Sequence, residues 1–595
     1  MLRKVLCGIF CIDRQGGDPL KNGGKKFLQG ALILAGANLL VKIIGAFFKV
    51  PLYRLIGGDG NGIFSVAYQI YTFMFILATA GFPIAVSKMV AESIAKNDEY
   101  DAKRIFQTAF LLLGVIGLAG STALFIFADE LAAILGNTDS ALGIKVIAPA
   151  VFFVSLVSAY RGYFQGKQNM YPTAGSEVVE AGGKMLIGII AAATFMGMAV
   201  NTALGEDAVL VNGEFSTSHN RTVYSATGAI FGVTAGTFFA LILMMIVYVF
   251  KERKNKPLKN KTARTRIEIL KQLIPIAIPI TIGASVSSLT SLVDLGTIMN
   301  RLVINEHVFD RYAYLFATGT EFAADVLEEG WSGIELLRQK ANTLYGIYTG
   351  QAQTMFNLPL TIVVGLSMSS VPAISAALAE RKKMDAQDIT ASVLRITMLF
   401  AFPCAMGYFV LTDPILRILY SDANAAYMLQ KLAIAVPFVA LVSVSNSVLQ
   451  SYGKVYWPVV NMLIGGIVKV VMNYALIPVW GIDAAPVATT VCYGVIALLN
   501  IFCIVGMLKV RLSFVDMVLK PFCASAVMGA AVILSYNAMN SFAPGSRLVT
   551  VAAIGVGVLA YGIAIILVRG FRRDDVLNMP KGEKIADIMT KFKLL

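Results

Sequence analysis

Charged side chains are rare inside the apolar stretches of this chain, and the few present fall in helical register. Asn38, Lys42 and Lys49 follow a four-residue and then a seven-residue step, which lines them along one helix face beside Gly45 and Ala46. Glu177, Glu180 and Lys184 form a second stripe, Asp294 and Arg301 lie two turns apart in a third stretch, and Lys469 and Asn473 lie one turn apart in a fourth. An ionised side chain at mid-membrane costs about 2.5 to 3.5 kcal/mol on insertion scales, so each of these residues needs a partner or a pathway role. The chemistry on offer is anion binding. Lysine supplies a point charge and arginine a planar fork for a phosphate or pyrophosphate in a low-dielectric cavity, and Lys42, Lys49, Lys184, Arg301 and Lys469 are the candidate cationic set. Asn38, Glu177, Glu180, Asp294 and Asn473 are candidate polar-cavity or ion-coupling groups. Asp294 either binds a coupling proton or sodium ion or neutralises one of the lysines. A plainer reading stands beside these: Lys49, Arg161 and Arg301 near the ends of their stretches can snorkel to the interface, and Glu180 and Lys184, four apart, can pair with each other.

Other chemistries lack their residues. No GxxxxGK[ST] segment exists, so a primary ATPase is not expected. The two histidines, His219 and His307, fall in polar segments and leave none in the membrane for acid-base or metal work. Cys404, Cys492, Cys503 and Cys523 sit in apolar stretches as small hydrophobes, and Cys7 and Cys11 read as reduced thiols in an N-terminal tail. A membrane enzyme acting on polyprenyl lipids would need metal-binding carboxylates or a His/Arg phosphate site at the membrane face. Asp574 and Asp575, in a basic tail, do not make one, so no catalytic residue, metal or cofactor is expected beyond proton or sodium coupling, or the membrane potential alone.

These side chains have to be positioned by membrane helices. The chain has 595 residues, 57% hydrophobic and only 14% charged, with a mean hydropathy of +0.71. About 20 apolar residues cross a bilayer, and a window of that length finds fourteen spans: near 27–53, 62–86, 104–128, 142–165, 173–200, 225–250, 268–301, 343–378, 389–411, 426–451, 457–479, 484–508, 514–537 and 548–568. The fold class expected is an all-α polytopic membrane protein. The net charge of +14 reflects basic loops beside spans and not a nucleic-acid partner. The loops 251–271 and 381–383, the N-terminus and the tail with Arg569, Arg572 and Arg573 are all basic, and an even span count puts all of them, both termini included, in the cytoplasm of a cell membrane. Two polar segments, about 201–224 and 303–341, then lie outside. The second is acidic, and its apolar residues Phe316, Phe322, Val326 and Leu327 are spaced for a short surface helix. A partner-binding or lid role for it stands beside the plainer reading of a solvated connector.

The chain also repeats itself. VSLVSAYRGYFQGKQNMYP (154–172) matches VALVSVSNSVLQSYGKVYWP (439–458), pairing Gln165 with Gln450 and Pro172 with Pro458, and PIAVSKMVAE (83–92) echoes PAISAALAE (372–380). Each half holds six spans, so the repeats are parallel, with a site expected between them. The organisation expected is a tail (1–26), an N-lobe (27–250), a basic linker (251–267), a C-lobe (268–508), two added spans (509–568) and a cytoplasmic tail (569–595). Lys184 and Lys469 occupy nearly equivalent repeat positions. Pro275, Pro279, Gly45 and Pro359 are candidate hinges or packing kinks.

KIIGAFFKVPLYRLIGG (42–58), the following GNGIFSVAYQIYTFMFILATAGFPIAVSKMVAE stretch, YFQGKQNMYPT and the tail FRRDDVLNMPKGEKI resemble the polysaccharide-transporter branch of the multidrug/oligosaccharidyl-lipid/polysaccharide superfamily. Within it the chain looks most like the stage V sporulation protein B and Gram-positive MurJ-type lipid II flippase group. The resemblance implies fourteen helices, two six-helix lobes around a central cavity, alternating access, and transport of a polyprenyl-pyrophosphate-linked sugar from the inner to the outer leaflet for wall or polysaccharide assembly. Its partners would then be that lipid-linked sugar, the membrane lipids and, through the outer segments 201–224 and 303–341, cell-wall synthesis proteins. The sequence departs from the group's arginines in the first and second spans: the first span has lysines, and 62–82 has no basic residue. The alternative is a cation-coupled multidrug exporter of the same superfamily, which would prefer an acidic or aromatic cavity and is disfavoured by the lysine stripes.

Overall fold

The computed structural model describes residues 23–203, 210–211, 214–215, 218–252, 264–318, 320–568 and 570. Most of the N-terminal tail with Cys7 and Cys11, the centre of the basic linker and the C-terminal tail lie outside the described residues. Nearly all the rest is helical, and only Leu210–Val211 (β1) and Glu214–Phe215 (β2) pair as a minimal antiparallel ribbon. Among the described residues ten helices are long and apolar enough to span a bilayer, or eleven if the bent pair Ala426–Ala433 and Val436–Ser451 counts as one more. Two of the ten runs, Gly36–Ala95 and Tyr456–Leu508, are 60 and 53 residues long, more than twice what one crossing needs. Each breaks at a glycine with positive φ, Gly57 (67°) and Gly481 (66°), where a side chain would be strained. Each run therefore holds two of the spans read from the sequence. Large apolar side chains such as Phe47, Leu111, Phe250 and Phe502 stand exposed along these helices, as lipid-facing surfaces require.

The helices form two compact units, residues 1–346 and 347–595. Unit one contains α1 (Gly23–Thr79), α2 (Phe82–Ala95), α3 (Glu99–Ile126), α4 (Ala128–Ile134), α5 (Ser140–Gly166), α6 (Tyr171–Ala203), α7 (Ser218–Glu252) and α8 (Arg266–Leu302). The lobes expected from the repeat would divide at 251–267. The packing divides later because α8 lies against α1, α2 and α3. A capping box, Thr265 with Glu268, starts α8, and Arg264 just before it is tied to Asp101 of α3 at 2.5 Å. Nearby Glu252 accepts from Lys167 at 2.5 Å and pairs with Lys103 at 3.5 Å, so one end of the unit is laced by ion pairs across α3, α5, α7 and α8. Beside it, Phe106 packs at tilted angles against Tyr160, Tyr163 and Tyr248 at centroid distances near 5 Å.

The most extensive helix packing in unit one is α6 on α7. Gly228, Gly232 and Gly236 recur at four-residue intervals along α7. A Cβ at Gly232 would fall 2.2 Å from Gly188 Cα, and one at Gly236 would fall 2.6 Å from the Glu180 carbonyl. In membranes such small-residue stripes let backbones touch where no hydrophobic effect drives association.

After α8 the polar segment folds into a 3₁₀ turn (Glu306–Leu315), α9 (Glu321–Glu329) and α10 (Gly333–Ile347). Phe316 and Phe322, expected on a surface helix, pack edge to face at 4.8 Å, with Phe316 on the turn's end and Phe322 in α9. Unit two holds a π-turn (348–352), α11 (Gln353–Ala379), α12 (Lys383–Tyr420), α13 (Ala426–Ala433), α14 (Val436–Ser451), α15 (Tyr456–Trp480) and α16 (Ala484–Leu508). A second π-turn (515–519), α17 (Lys520–Phe542) and α18 (Arg547–Leu567) complete it, with α17 and α18 packed on α12.

Candidate substrate site

Arg161 of α5 organises the polar interior of unit one. It is buried, not snorkelling: its Nε donates to Ser176 Oγ at 3.0 Å and its Nη2 to Glu180 Oε2 at 2.9 Å. Ser176 and Glu180 lie one turn apart on α6, so the fork spans both. The intrahelical pair expected between Glu180 and Lys184 is replaced by this cross-helix bond, which offers a planar fork where Lys184 offers only a point charge. Glu177 sits close enough to feel the charges of both Arg161 and Glu180, and its Oε2 is buried without a hydrogen-bond donor. The buried Tyr71 hydroxyl of α1 lies within the field of the same pair.

One turn further along α6, Lys184 points at aromatic faces of α1. Its Nζ is 3.7 Å from the Tyr68 ring centroid and 5.6 Å from that of Phe48, and Phe64 stacks on Tyr68 at 5.5 Å. Quadrupoles of such rings attract a cation without neutralising it. Lys49 is near enough for its charge to interact with that of Lys184. Among the described residues no carboxylate pairs with either lysine. The outcome is a graded column in which Arg161 and Glu180 balance at one level, with the Glu177 carboxyl left over, and two lysines accumulate beside rings at the next. It can hold an anion at the lysines and a small cation or proton at the Glu177 oxygen.

Of the candidate residues, the structure brings Lys49, Glu177, Glu180 and Lys184 together. Lys42 is exposed on α1 and Asn38 is half-buried. The α8 end carrying Arg301 packs on the turn before α5, with Asn300 donating to the Ile134 carbonyl at 3.0 Å. That is the far end of α5 from Arg161, about 30 Å along the helix axis. Asp294 is buried two turns before Arg301. Lys469, half-buried, and Asn473, fully buried, belong to α15 of unit two.

The repeat makes the charge placement legible. Arg161 aligns with Asn446 and Ser176 with Met462, and Asn446 Nδ2 reaches Met462 Sδ at 3.7 Å, the same cross-helix contact in neutral form. Around it Asn500 donates to Ser445 and Asn446, and Asn461 donates to Asn500, each at 2.8 Å. Unit two holds an uncharged amide network where unit one holds an ion cluster. Its other feature is a groove of about 620 Å³ with an almost wholly apolar wall, including Phe402, Phe409, Phe438, Leu498 and Phe522 from α12, α14, α16 and α17.

A second polar cluster closes the opposite end of unit one. His219, at the start of α7, lies between Asp59 (Nδ1 to Oδ2, 3.6 Å) and Asp139 (Nε2 to Oδ2, 3.4 Å), with Trp331 edge-on at 4.7 Å. Gln339 donates to Asp139 at 2.7 Å, Asn342 to Asp59, and Asn137 to Asn342 at 2.5 Å. Burial opposes the charge on Asp139, but the His219 and Gln339 hydrogen bonds and the His219 charge outweigh it and hold that carboxyl below its ordinary range. The expectation that the histidines stand outside the chemistry left this clasp unread, although no spacing in the sequence joins residues 59, 139, 219 and 339.

Long apolar helices, exposed aliphatic faces and a buried ion cluster define an all-α polytopic membrane protein. The chain belongs to the polysaccharide biosynthesis protein family, whose model matches residues 27–378. The model of the lipid II flippase MurJ matches residues 347–567. Stage V sporulation protein B of Bacillus subtilis (strain 168) is 25% identical, over 93% of this chain and 98% of its own. Lipid II flippase MurJ of the same organism is 25% identical, over 79% and 80%. Among solved structures, lipid II flippase MurJ in an inward closed conformation matches with a TM-score of 0.59 at 13% identity, covering 90% of this chain and 98% of that one.

Proposed function

We propose that the protein is a flippase that moves a polyprenyl-pyrophosphate-linked sugar, lipid II or a related lipid-linked oligosaccharide, from the inner to the outer leaflet by alternating access. The observation that carries this reading is the pair Lys49 and Lys184, two cations placed together beside aromatic rings with no carboxylate of their own. A pyrophosphate is the ligand that such a pair lacks. The groove of unit two has the wall chemistry for a prenyl chain, and the match to the lipid II flippase model over 347–567 supports the same substrate class. The orientation read from the basic loops places the ion-laced end of unit one in the cytoplasm and the His219 clasp outside. Glu177, Glu180 and Asp294 are candidates for proton or sodium coupling, and Lys42, Arg301, Lys469, Asn38 and Asn473 for later contacts along the path. A multidrug exporter of the same fold would need its free charge to be mainly acidic, and here two lysines outnumber the one unsatisfied carboxylate of the cluster, Glu177.

The test is complementation of a bacterium depleted of its lipid II flippases, at matched membrane abundance. Wild type restores growth, and Lys49→Gln with Lys184→Gln abolishes it, because each charge-assisted contact contributes about 1.5 to 3 kcal/mol. Unimpaired growth of the double variant would refute the lysine site. Failure of well-expressed wild type would redirect the substrate to a polysaccharide repeat unit, sought as lipid-linked sugars accumulating in the deletion strain.

A further inference from the structure

At the start of α12 a polar cavity of about 650 Å³ opens beside the segment 511–513. Asp385, Asp388, Ser392 and Arg395 reach it at three- and four-residue steps, so one face of α12 forms a wall. Arg511 and Ser513 come from the segment that leads into the second π-turn. The carboxylates are exposed, whereas Arg395 is only 7% exposed and its Nη2 contacts Ser392 Oγ at 3.3 Å. The cavity thus passes from an acidic mouth to a cationic, hydroxyl-lined floor. The apolar groove begins on the other side of one residue, because Met517 lines both this cavity and the groove. A charged pocket and a greasy trough that meet at one side chain have the shape and polarity of one amphiphile. The basic run Arg381-Lys382-Lys383, at the same end of α12, adds attraction for anionic head groups at the membrane surface.

We propose that this cavity binds the head of a phosphate-bearing lipid whose chain lies in the groove. The phosphate sits on Arg395 and Arg511, and hydroxyl or ammonium groups of the head donate to Asp385 and Asp388. Two lipids share that chemistry, a polyprenyl-pyrophosphate carrier waiting to be moved and a resident phospholipid. The first deepens the flippase reading and rests on it. The second does not.

The full-length protein in mixed micelles, studied by native mass spectrometry, separates these cases. The background is Lys49→Gln with Lys184→Gln, so that the lysine site does not contribute. The probes are undecaprenyl pyrophosphate, phosphatidylethanolamine and phosphatidylglycerol. Arg511→Gln, at an exposed position that leaves folding intact, lowers retention at least about tenfold, the cost of one charge-assisted phosphate contact, and Met517→Trp, which fills the boundary between pocket and groove, lowers it as well. Loss confined to undecaprenyl pyrophosphate assigns a loading site for the carrier, and loss of a phospholipid assigns a resident lipid. Retention of all three probes at the background level in Arg511→Gln and Arg395→Gln overturns the site. If wild type transports nothing yet retention still depends on Arg511, the flippase reading falls and the pocket stands.

Discussion

Arg161 and Glu180 make sense only as a pair. Their side chains are 7% and 20% exposed, so removing one leaves the other's charge in a poorly solvated site. Breaking a fully buried pair costs about 3 to 5 kcal/mol, and the residual exposure of Glu180 lowers this to about 2 to 3 kcal/mol. Arg161→Ala should therefore destabilise unit one by that amount in thermal unfolding in detergent. Arg161→Asn with Glu180→Gln should recover most of it, because the repeat-equivalent Asn446 already lives there without charge. An equal loss in single and double variants would sink the account. At this scale the sequence was half legible. The stripe of Glu177, Glu180 and Lys184 is real, since spacing along one helix fixes a face. The partner was not legible, because Arg161 arrives from another helix and its offset of 19 residues carries no periodic signal. Tyr68 and Phe48 were missed as well: aromatic residues in an apolar span look like core until a lysine is seen against them.

At the level of elements, α6 presents its polar stripe to α1 and α5 only while its back lies against α7. Gly232 holds that contact, and a side chain there must push the helices apart. Gly232→Leu should displace Glu180 and Lys184 together, abolishing complementation and lowering the unfolding temperature, whereas Gly182→Ala, where an added Cβ meets nothing within 4 Å, should leave both unchanged. A functional Gly232→Leu protein would show that the packing is not what aims the stripe. The clasp at the other end responds to pH. Asp139 is titratable, and it faces Asp59 of α1 and His219 of α7, with Glu335 and Arg338 of α10 lining the same cavity. Because its folded pKa is depressed, the stabilisation is full above the ordinary carboxylate value of about 4 and is lost as pH falls through the lower folded value. Hydrogen exchange in 306–347 should rise below about pH 4 in wild type. Asp139→Asn should raise it already at neutral pH and remove most of the acid dependence. These polar segments were read as connectors because loops carry no period, and only their folding brings Gln339 and Asn342 onto Asp139 and Asp59.

For the whole molecule, hydropathy and basic loops made the membrane class, the helical content and most spans legible, while the packing boundary at residue 346 was hidden because nothing in the composition of α8 says which neighbours it prefers. The charge asymmetry between the repeats, ionic in unit one and amide in unit two, bears on the energy source. With the interior negative, moving one negative charge outward gains about 2.3 kcal/mol per 100 mV. If Lys49 and Lys184 neutralise a pyrophosphate, the loaded step carries little net charge and feels little of this gain. The empty return then carries two positive charges back toward the negative interior, so the same potential drives the other half of the cycle. The sum over one turn is unchanged, but the voltage-sensitive step is the return. In proteoliposomes with an imposed potassium potential, multiple-turnover transport by wild type should therefore accelerate with inside-negative voltage, while a single turnover of preloaded protein should not. Replacing one lysine by glutamine should make the loaded step electrogenic and give the single turnover a voltage dependence of its own. A single turnover that is already voltage-dependent in wild type would mean that the lysines do not travel with the pyrophosphate, and a cycle indifferent to voltage would leave Glu177, Glu180 or Asp294 to couple transport to an ion.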